Sequence, residues 1–301
     1  MMRSSRVLAL ALGAAPLLVS AASPAPQDLP DSGLSAKNGA VDLPIAVPDD
    51  YRLVWSDEFD KPGLPDPAKW QYDTARNKQG WANHEKQYYS ADRPENARVE
   101  DGKLIITARH ETLDPDTVKD YGGQEYTSAR LLTRGLEQWK YGFFEISARI
   151  ACGRGTWPAI WMLGTKQDVS WPEIGEIDIM EHVGFDQGEI HGTIHTKAYN
   201  HVIGTQIGSQ ISVKDACSAF HKYQLWWTPK QILIGVDGHA YMRFANDGSG
   251  DTARWPFDDP EYLILNVAVG GDWGGQKGID DSVFPSSMAV DYVRVWQQAD
   301  R

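Results

Sequence analysis

The segment Gly175-Glu176-Ile177-Asp178-Ile179-Met180-Glu181-His182 threads three carboxylates through a run of Ile and Met that reads as a β-strand. Side chains alternate faces along a strand, so Glu176 and Asp178 share one face while Ile177 and Ile179 take the other. Strict alternation would turn Glu181 in with the apolar residues. One extra residue in a β-bulge near Ile179 and Met180 resets the alternation and brings all three acids onto one surface. The rest of the chain must then build a sheet with one face covered and the other carrying the acids.

The remaining sequence is suited to that. Residues 141–150, 222–227, 232–236 and 262–269 read as further strands, separated by Gly-, Pro- and Asp-rich turns such as Val236-Asp237-Gly238-His239. No long helical period follows the N-terminal region. The expectation is an all-β chain, and 301 residues suffice for a large core without further staples.

Three acids on one face repel, and the segment itself offers no Lys or Arg to compensate. Two Glu with a smaller acid between them suit a reaction in which one carboxylate attacks and the other donates a proton. The outer pair spans ~13 Å of strand once one residue is absorbed in the bulge. Convergence of the side chains would bring the carboxyls to the about 5 to 5.5 Å expected for retention at a glycosidic centre. Two other readings are a hydrated polar strand and a metal site, to which His182, His191 and His195 would add nitrogen ligands. The spacing matches no metal motif as specific as HExxH. Ahead of the acids, Gly155-Thr156-Trp157-Pro158-Ala159-Ile160-Trp161-Met162-Leu163 places Trp157 and Trp161 on one face of an extended segment. Indoles beside carboxylates are platforms on which the flat C–H faces of sugars stack, although most of the 12 Trp are expected in the core.

With these motifs the chain resembles glycoside hydrolase family 16, and within it the laminarinase-type endo-β-1,3-glucanases, whose signature E-[IL]-D-[IFV]-x-E includes the bulge residue. The resemblance runs over residues 50–297. It is carried by Trp55-Ser56-Asp57-Glu58-Phe59, the stretch from Trp81 to Tyr89, Tyr126-Thr127-Ser128-Ala129-Arg130, Tyr141-Gly142-Phe143-Phe144-Glu145, the Trp157 to Leu163 segment, Gly192-Thr193-Ile194-His195-Thr196, Trp255-Pro256-Phe257, the stretch from Leu263 to Gly271, and Asp291-Tyr292-Val293-Arg294-Val295-Trp296. It implies a jelly-roll β-sandwich of two antiparallel sheets with a concave cleft. It also implies Glu176 as nucleophile, Asp178 as its supporting acid and Glu181 as acid/base. His195 would neighbour the acid/base, with Asn83, Arg130, Trp157, Trp161 and His195 meeting substrate. Where the family usually has Gly-Asn-Asn, this chain has Ala82-Asn83-His84, which alters the cleft near Asn83.

The resemblance further implies an endo-acting β-1,3-glucanase that needs no catalytic cofactor. Rival readings are a mixed-linkage β-glucanase, an agarase or carrageenase, a transglycosylase, and a β-glucan-binding protein with dead chemistry. The bulged signature favours the laminarinase branch over the bulge-free lichenases, and the intact acids speak against pure binding. Family members often hold a structural calcium away from the acids; here the corresponding ligands are Glu58, the Gly102 carbonyl and Asp291, which otherwise read as ordinary surface groups.

Arg3 and Arg6 precede an apolar stretch from Val7 to Val19 and the small residues Ser20-Ala21-Ala22, the pattern of an export signal over 1–21. Residues 22–49, with Pro24, Pro26, Pro30, Pro44 and Pro48, read as an extended linker ahead of a catalytic domain over 50–301. The product is expected outside the cytoplasm, extracellular or periplasmic, as a monomer with no membrane anchor. A net charge of -12 disfavours nucleic acid and acidic polysaccharide and fits a neutral β-glucan. Only Cys152 and Cys217 are present, which excludes a four-thiolate zinc site and fits one disulfide in an oxidising compartment, two free thiols being the alternative.

Overall fold

A computed structural model describes residues 38–299. The export signal and the linker up to residue 37 lie outside the described residues. Among the described residues eighteen strands follow one another: β1 Gly39–Pro44, β2 Tyr51–Asp57, β3 Gln71–Tyr72, β4 Gln87–Tyr89, β5 Ala97–Glu100, β6 Lys103–His110, β7 Tyr126–Ser128, β8 Arg130–Leu132 and β9 Gly142–Arg149. They continue as β10 Thr156–Gly164, β11 Glu176–Glu181, β12 Glu189–His195, β13 Ile207–Ser212, β14 His221–Trp227, β15 Gln231–Val236, β16 His239–Ala245, β17 Glu261–Val269 and β18 Ser286–Gln298. The only helical elements among the described residues are three short 3-10 turns, so the all-β expectation holds.

The strands form an eleven-stranded sheet, β1-β16-β15-β14-β9-β18-β6-β7-β4 with β2 on β18 and β5 on β6, and a seven-stranded sheet, β13-β12-β11-β10-β17-β8-β3. Leu263, Leu265 and Val267 of the smaller sheet and Phe144, Ile146, Tyr223 and Leu225 of the larger one meet in the same buried cluster. That cluster is the interior of a β-sandwich. The expectation of antiparallel sheets needs one correction, because β4 pairs with β7 in parallel.

A second correction concerns the linker. Residues 39–47, assigned from sequence to the extended segment 22–49, belong to the fold. Strand β1 pairs antiparallel with β16, and Ile45 is 2% exposed against Phe143, Leu233 and Ala240. Prolines masked a period-two stripe of Val41, Leu43, Ile45 and Val47, which packs on the outer side of the larger sheet beside Trp226 and Trp296. Pro44 is tolerated because it ends a strand at the sheet's edge.

Candidate active site

The pairing of β11 shows the bulge that the acids require. Against β12, Asp178 faces Thr193 and Glu181 faces His191, so three residue steps on one strand oppose two on the other. Against β10, Met180 faces Ile160 and Asp178 faces Trp161, leaving Ile179 without an opposite number. Ile177, Ile179 and Met180 are all fully buried in the sandwich core. Gly175 leads in with φ +85, and a Cβ there would stand 2.9 Å from Pro256 Cγ, so only glycine suits the position.

Directly opposed residues share a face of a sheet, so the register lays out the outer face of the smaller sheet in rows. One row runs His195, Glu176, Leu163, Tyr262; the next Thr193, Asp178, Trp161, Ile264, Leu132; the third His191, Glu181, Ala159, Asn266, Arg130. Trp157 stands on the same face of β10, two residues beyond Ala159. Seven of the eight catalytic and substrate-binding residues expected from sequence therefore meet on one surface. The eighth, Asn83, lies in the 3-10 turn Ala82–His84, where its side chain bonds Glu85. Asn83 and His84 both adopt left-handed backbone (φ 55 for each), and the Asn83 carbonyl accepts from Asp272 N at 2.7 Å while His84 Nδ1 stands 2.8 Å from Asp272 Oδ1.

Trp157 Nε1 donates to Glu181 Oε1 at 3.1 Å. Trp161 Nε1 donates to Asn266 Oδ1 at 2.7 Å. The Arg130 guanidinium lies between two indoles, 4.7 Å from the Trp161 ring centre and 5.1 Å from that of Trp81, and 3.3 Å from Asp73. One face of Trp161 is thus covered by a protein cation. His195 Nε2 approaches Asp178 Oδ2 to 3.4 Å, while its ring packs near Trp171 and His201.

Crowding sets the protonation order. Desolvation pushes Glu181 up to about 8, with the charge of Glu176 adding to it and the Trp157 bond opposing it. Desolvation also raises Glu176, to about 7, and its contacts with Asp178 and Trp171 and the charge of Arg130 hold it down. Asp178 is raised well above its ordinary value, by burial and then by the charges of Glu176 and Glu181. Their shared hydrogen bond raises Asp178 and lowers Glu176, the direction expected when Asp178 is the donor. Burial lowers His195 to about 4, so the imidazole is uncharged at neutral pH and its contact with Asp178 is not an ion pair there.

Sequence reasoning passed over several residues that converge here. Glu85 accepts from Gln87 Nε2 at 2.8 Å and adds its charge to the field at Glu181. Trp273 packs edge-on against Trp157 and His191, and its setting, Gly270-Gly271-Asp272-Trp273-Gly274-Gly275, is a signal that could have found it. Trp171 and His201 come from separate loops and are joined only by the fold. Glu261, 1% exposed on β17, carries an unpartnered Oε2, and burial raises its carboxyl.

The cysteines form the expected disulfide, with Cα atoms 5.8 Å apart. The calcium set fares differently. Both carboxylate oxygens of Glu58 are held by Arg294, at 2.9 and 2.8 Å, and that pairing keeps Glu58 below the usual carboxylate range. A guanidinium already supplies the positive charge there, so the set as it stands does not fit a calcium ion.

Acids and indoles on the outer face of one sheet of a β-sandwich define a polysaccharide-cleaving enzyme of the two-carboxylate kind. The chain belongs to glycosyl hydrolases family 16, whose family model matches residues 84–294. It is 56% identical over 254 residues to a β-glucanase of Rhodothermus marinus, covering 82% of this chain and 85% of the relative. A solved non-specific endo-β-1,3(4)-glucanase of the family superposes with a TM-score of 0.84 at 59% identity, covering 87% of this chain and 97% of that one. The laminarinase from Rhodothermus marinus gives 0.78 at 54%, covering 83% and 98%. The protein is accordingly a glycoside hydrolase.

Proposed function

We propose that the protein is a secreted, monomeric endo-β-1,3-glucanase that hydrolyses internal bonds of a neutral, laminarin-like glucan with net retention. The observation that carries the reading is the bulge, which sets Glu176, Asp178 and Glu181 in adjacent rows of one face. Glu176 attacks the anomeric carbon while Glu181, the acid held up to about 8, protonates the departing oxygen. Asp178 donates toward Glu176 and keeps it the readier of the pair to ionise. Water, deprotonated by Glu181, then releases the glycosyl-enzyme. Trp157, Trp161, Asn83, Arg130 and His195 position the chain, and no cofactor enters. A glucan of mixed 1,3 and 1,4 linkage is the second substrate, favoured by the 59% identity to a non-specific endo-β-1,3(4)-glucanase.

Export is supported by the N-terminal pattern and the disulfide. Among the described residues no helix is long and apolar enough to cross a membrane. Calcium at Glu58, the Gly102 carbonyl and Asp291 has Arg294 against it, so melting is expected to be unchanged by calcium or a chelator; stabilisation by calcium would restore the ion to the reading. The deciding experiment uses Glu176→Ala and Glu181→Ala with azide and an activated aryl β-glycoside. The Glu181 variant is expected to yield the β-azide and the Glu176 variant the α-azide. Swapped products would reverse the roles, and full activity in either variant would end the mechanism.

A further inference from the structure

Donor atoms of Glu176, Asp178 and His195 all lie within 4.8 Å of one another. His195 Nε2 stands 3.4 Å from Asp178 Oδ2 and 3.9 Å from Glu176 Oε1. Asp178 is 3% exposed and His195 6%. Yet Asp178 Oδ2 has no hydrogen-bond partner, and neither has His195 Nδ1. Buried polar atoms are nearly always satisfied, and leaving one unpaired costs about 1 to 3 kcal/mol. Acid/base hydrolysis of a glycoside gives Asp178 Oδ2 and the His195 Nε2 that faces it at 3.4 Å no reason to stand together unbonded. A bound cation would.

We propose that Glu176, Asp178 and His195 form a binding site for a divalent first-row transition ion, Zn2+ or Cu2+, whose occupancy shuts the enzyme off. Zinc sits ~2.1 Å from nitrogen and oxygen ligands, so ligands at the corners of a tetrahedron are ~3.4 Å apart. The His195 to Asp178 separation of 3.4 Å already matches that edge. Glu176 must draw in by ~0.5 Å, within reach of a side-chain torsion. One imidazole with two carboxylates suits zinc or copper, whereas calcium and magnesium seek six or more oxygens counting water. The three ligands come from two adjacent strands, with His195 directly opposite Glu176, so the site is preformed. The fourth position opens toward the face that receives substrate. Ion and substrate therefore exclude each other. Among the described residues the other cluster of this kind, Cys152, His182 and Cys217, has its sulfurs tied in the disulfide and offers no such set.

Binding needs only the geometry; the inhibition also rests on Glu176 being the nucleophile. Zn2+ titrated calorimetrically into the full chain is expected to bind one to one. His195→Gln should weaken it tenfold or more, and the Cu2+ electron paramagnetic resonance spectrum should lose one nitrogen's coupling in that variant. If melting shows His195→Gln unfolded, Glu176→Gln tests the same set by the same loss of affinity. No Zn2+ binding to the wild type, unchanged affinity in the folded variant, or a copper spectrum without nitrogen would overturn the site. In turnover, Zn2+ should raise the apparent KM for laminarin with kcat unchanged and a chelator should reverse it; bound zinc without inhibition overturns the exclusion. Should the wild type cleave no β-glucan, the functional reading fails while the titration still decides the metal site.

Discussion

Replacing Trp157 by Phe tests whether Glu181 is the acid whose loss of a proton ends activity at high pH. The perturbation removes one atom pair, the bond from Trp157 Nε1 to Glu181 Oε1 at 3.1 Å, and keeps an aromatic ring on the strand. That donor favours the charged carboxylate, since a hydrogen bond to an ionised acceptor is worth about 1.5 to 3 kcal/mol and one to a neutral acceptor about 0.5 to 1.5. The difference of about 1 to 1.5 kcal/mol corresponds to roughly one unit of pKa. Losing the donor destabilises the base form, so the Glu181 pKa rises from its position at about 8. The alkaline limb of kcat/KM against pH reports the acid of the free enzyme. It is expected to move up by roughly one unit in Trp157→Phe, while the acid limb, set by Glu176, stays in place. An unmoved alkaline limb, or one that moves down, would refute the assignment of Glu181 and the role given to the indole.

Reduction should lower the melting temperature, because the disulfide joins residues 65 apart and in the chain-entropy model such a loop stabilises by about 4 kcal/mol; a melting curve unchanged by reductant would contradict this. Glu261→Gln should stabilise at neutral pH and not at acid pH. The buried carboxyl is raised in the folded state, so the unfolded chain ionises first and wild-type stability falls as pH climbs past the ordinary carboxylate range; the variant's gain, about 1 kcal/mol, should be measurable at pH 7 and vanish near pH 3. Trp161→Ala should cost roughly 2 kcal/mol or more of stability through its contacts with Arg130 and Asn266. In a Glu176→Gln background it should also weaken laminarioligosaccharide binding, and unchanged affinity in the folded protein would make Trp161 a packing residue only.

Strands of the sandwich were legible where apolar runs were long and turn residues sharp. The stretches 222–227, 232–236 and 262–269 correspond to β14, β15 and β17, each beginning one residue earlier than read. The bulge was legible because like-charged acids have few places to go in a strand, and the pairing of β11 bears it out. Other features depend on the fold rather than on local pattern. Arg130 comes to lie between Trp81 and Trp161, and Arg294 crosses 236 positions of sequence to hold Glu58. No local signal announces either. Strand β1 was missed for another reason: its alternation is present, but proline spacing outweighed it. Glu261 gave no warning at all, since a single acid at the start of an apolar run reads as a strand boundary.

The bulge in β11 also bears on how such a site tolerates change in its gene. Loss of one codon from within a strand ordinarily turns every later side chain to the wrong face. Here the strand already holds one residue more than its partners. Deleting Ile179 or Met180 would leave Glu176, Asp178 and Glu181 on one face by plain alternation, at the cost of one apolar anchor in the core. Inserting a residue would also set Glu181 an even number of steps from Asp178 and so on the same face by plain alternation, but about two strand positions, ~7 Å, further along it. Length variation at this point is therefore one-sided: a shortened strand keeps both the face and the spacing of the acids, whereas a lengthened one keeps the face and draws Glu181 away from Glu176.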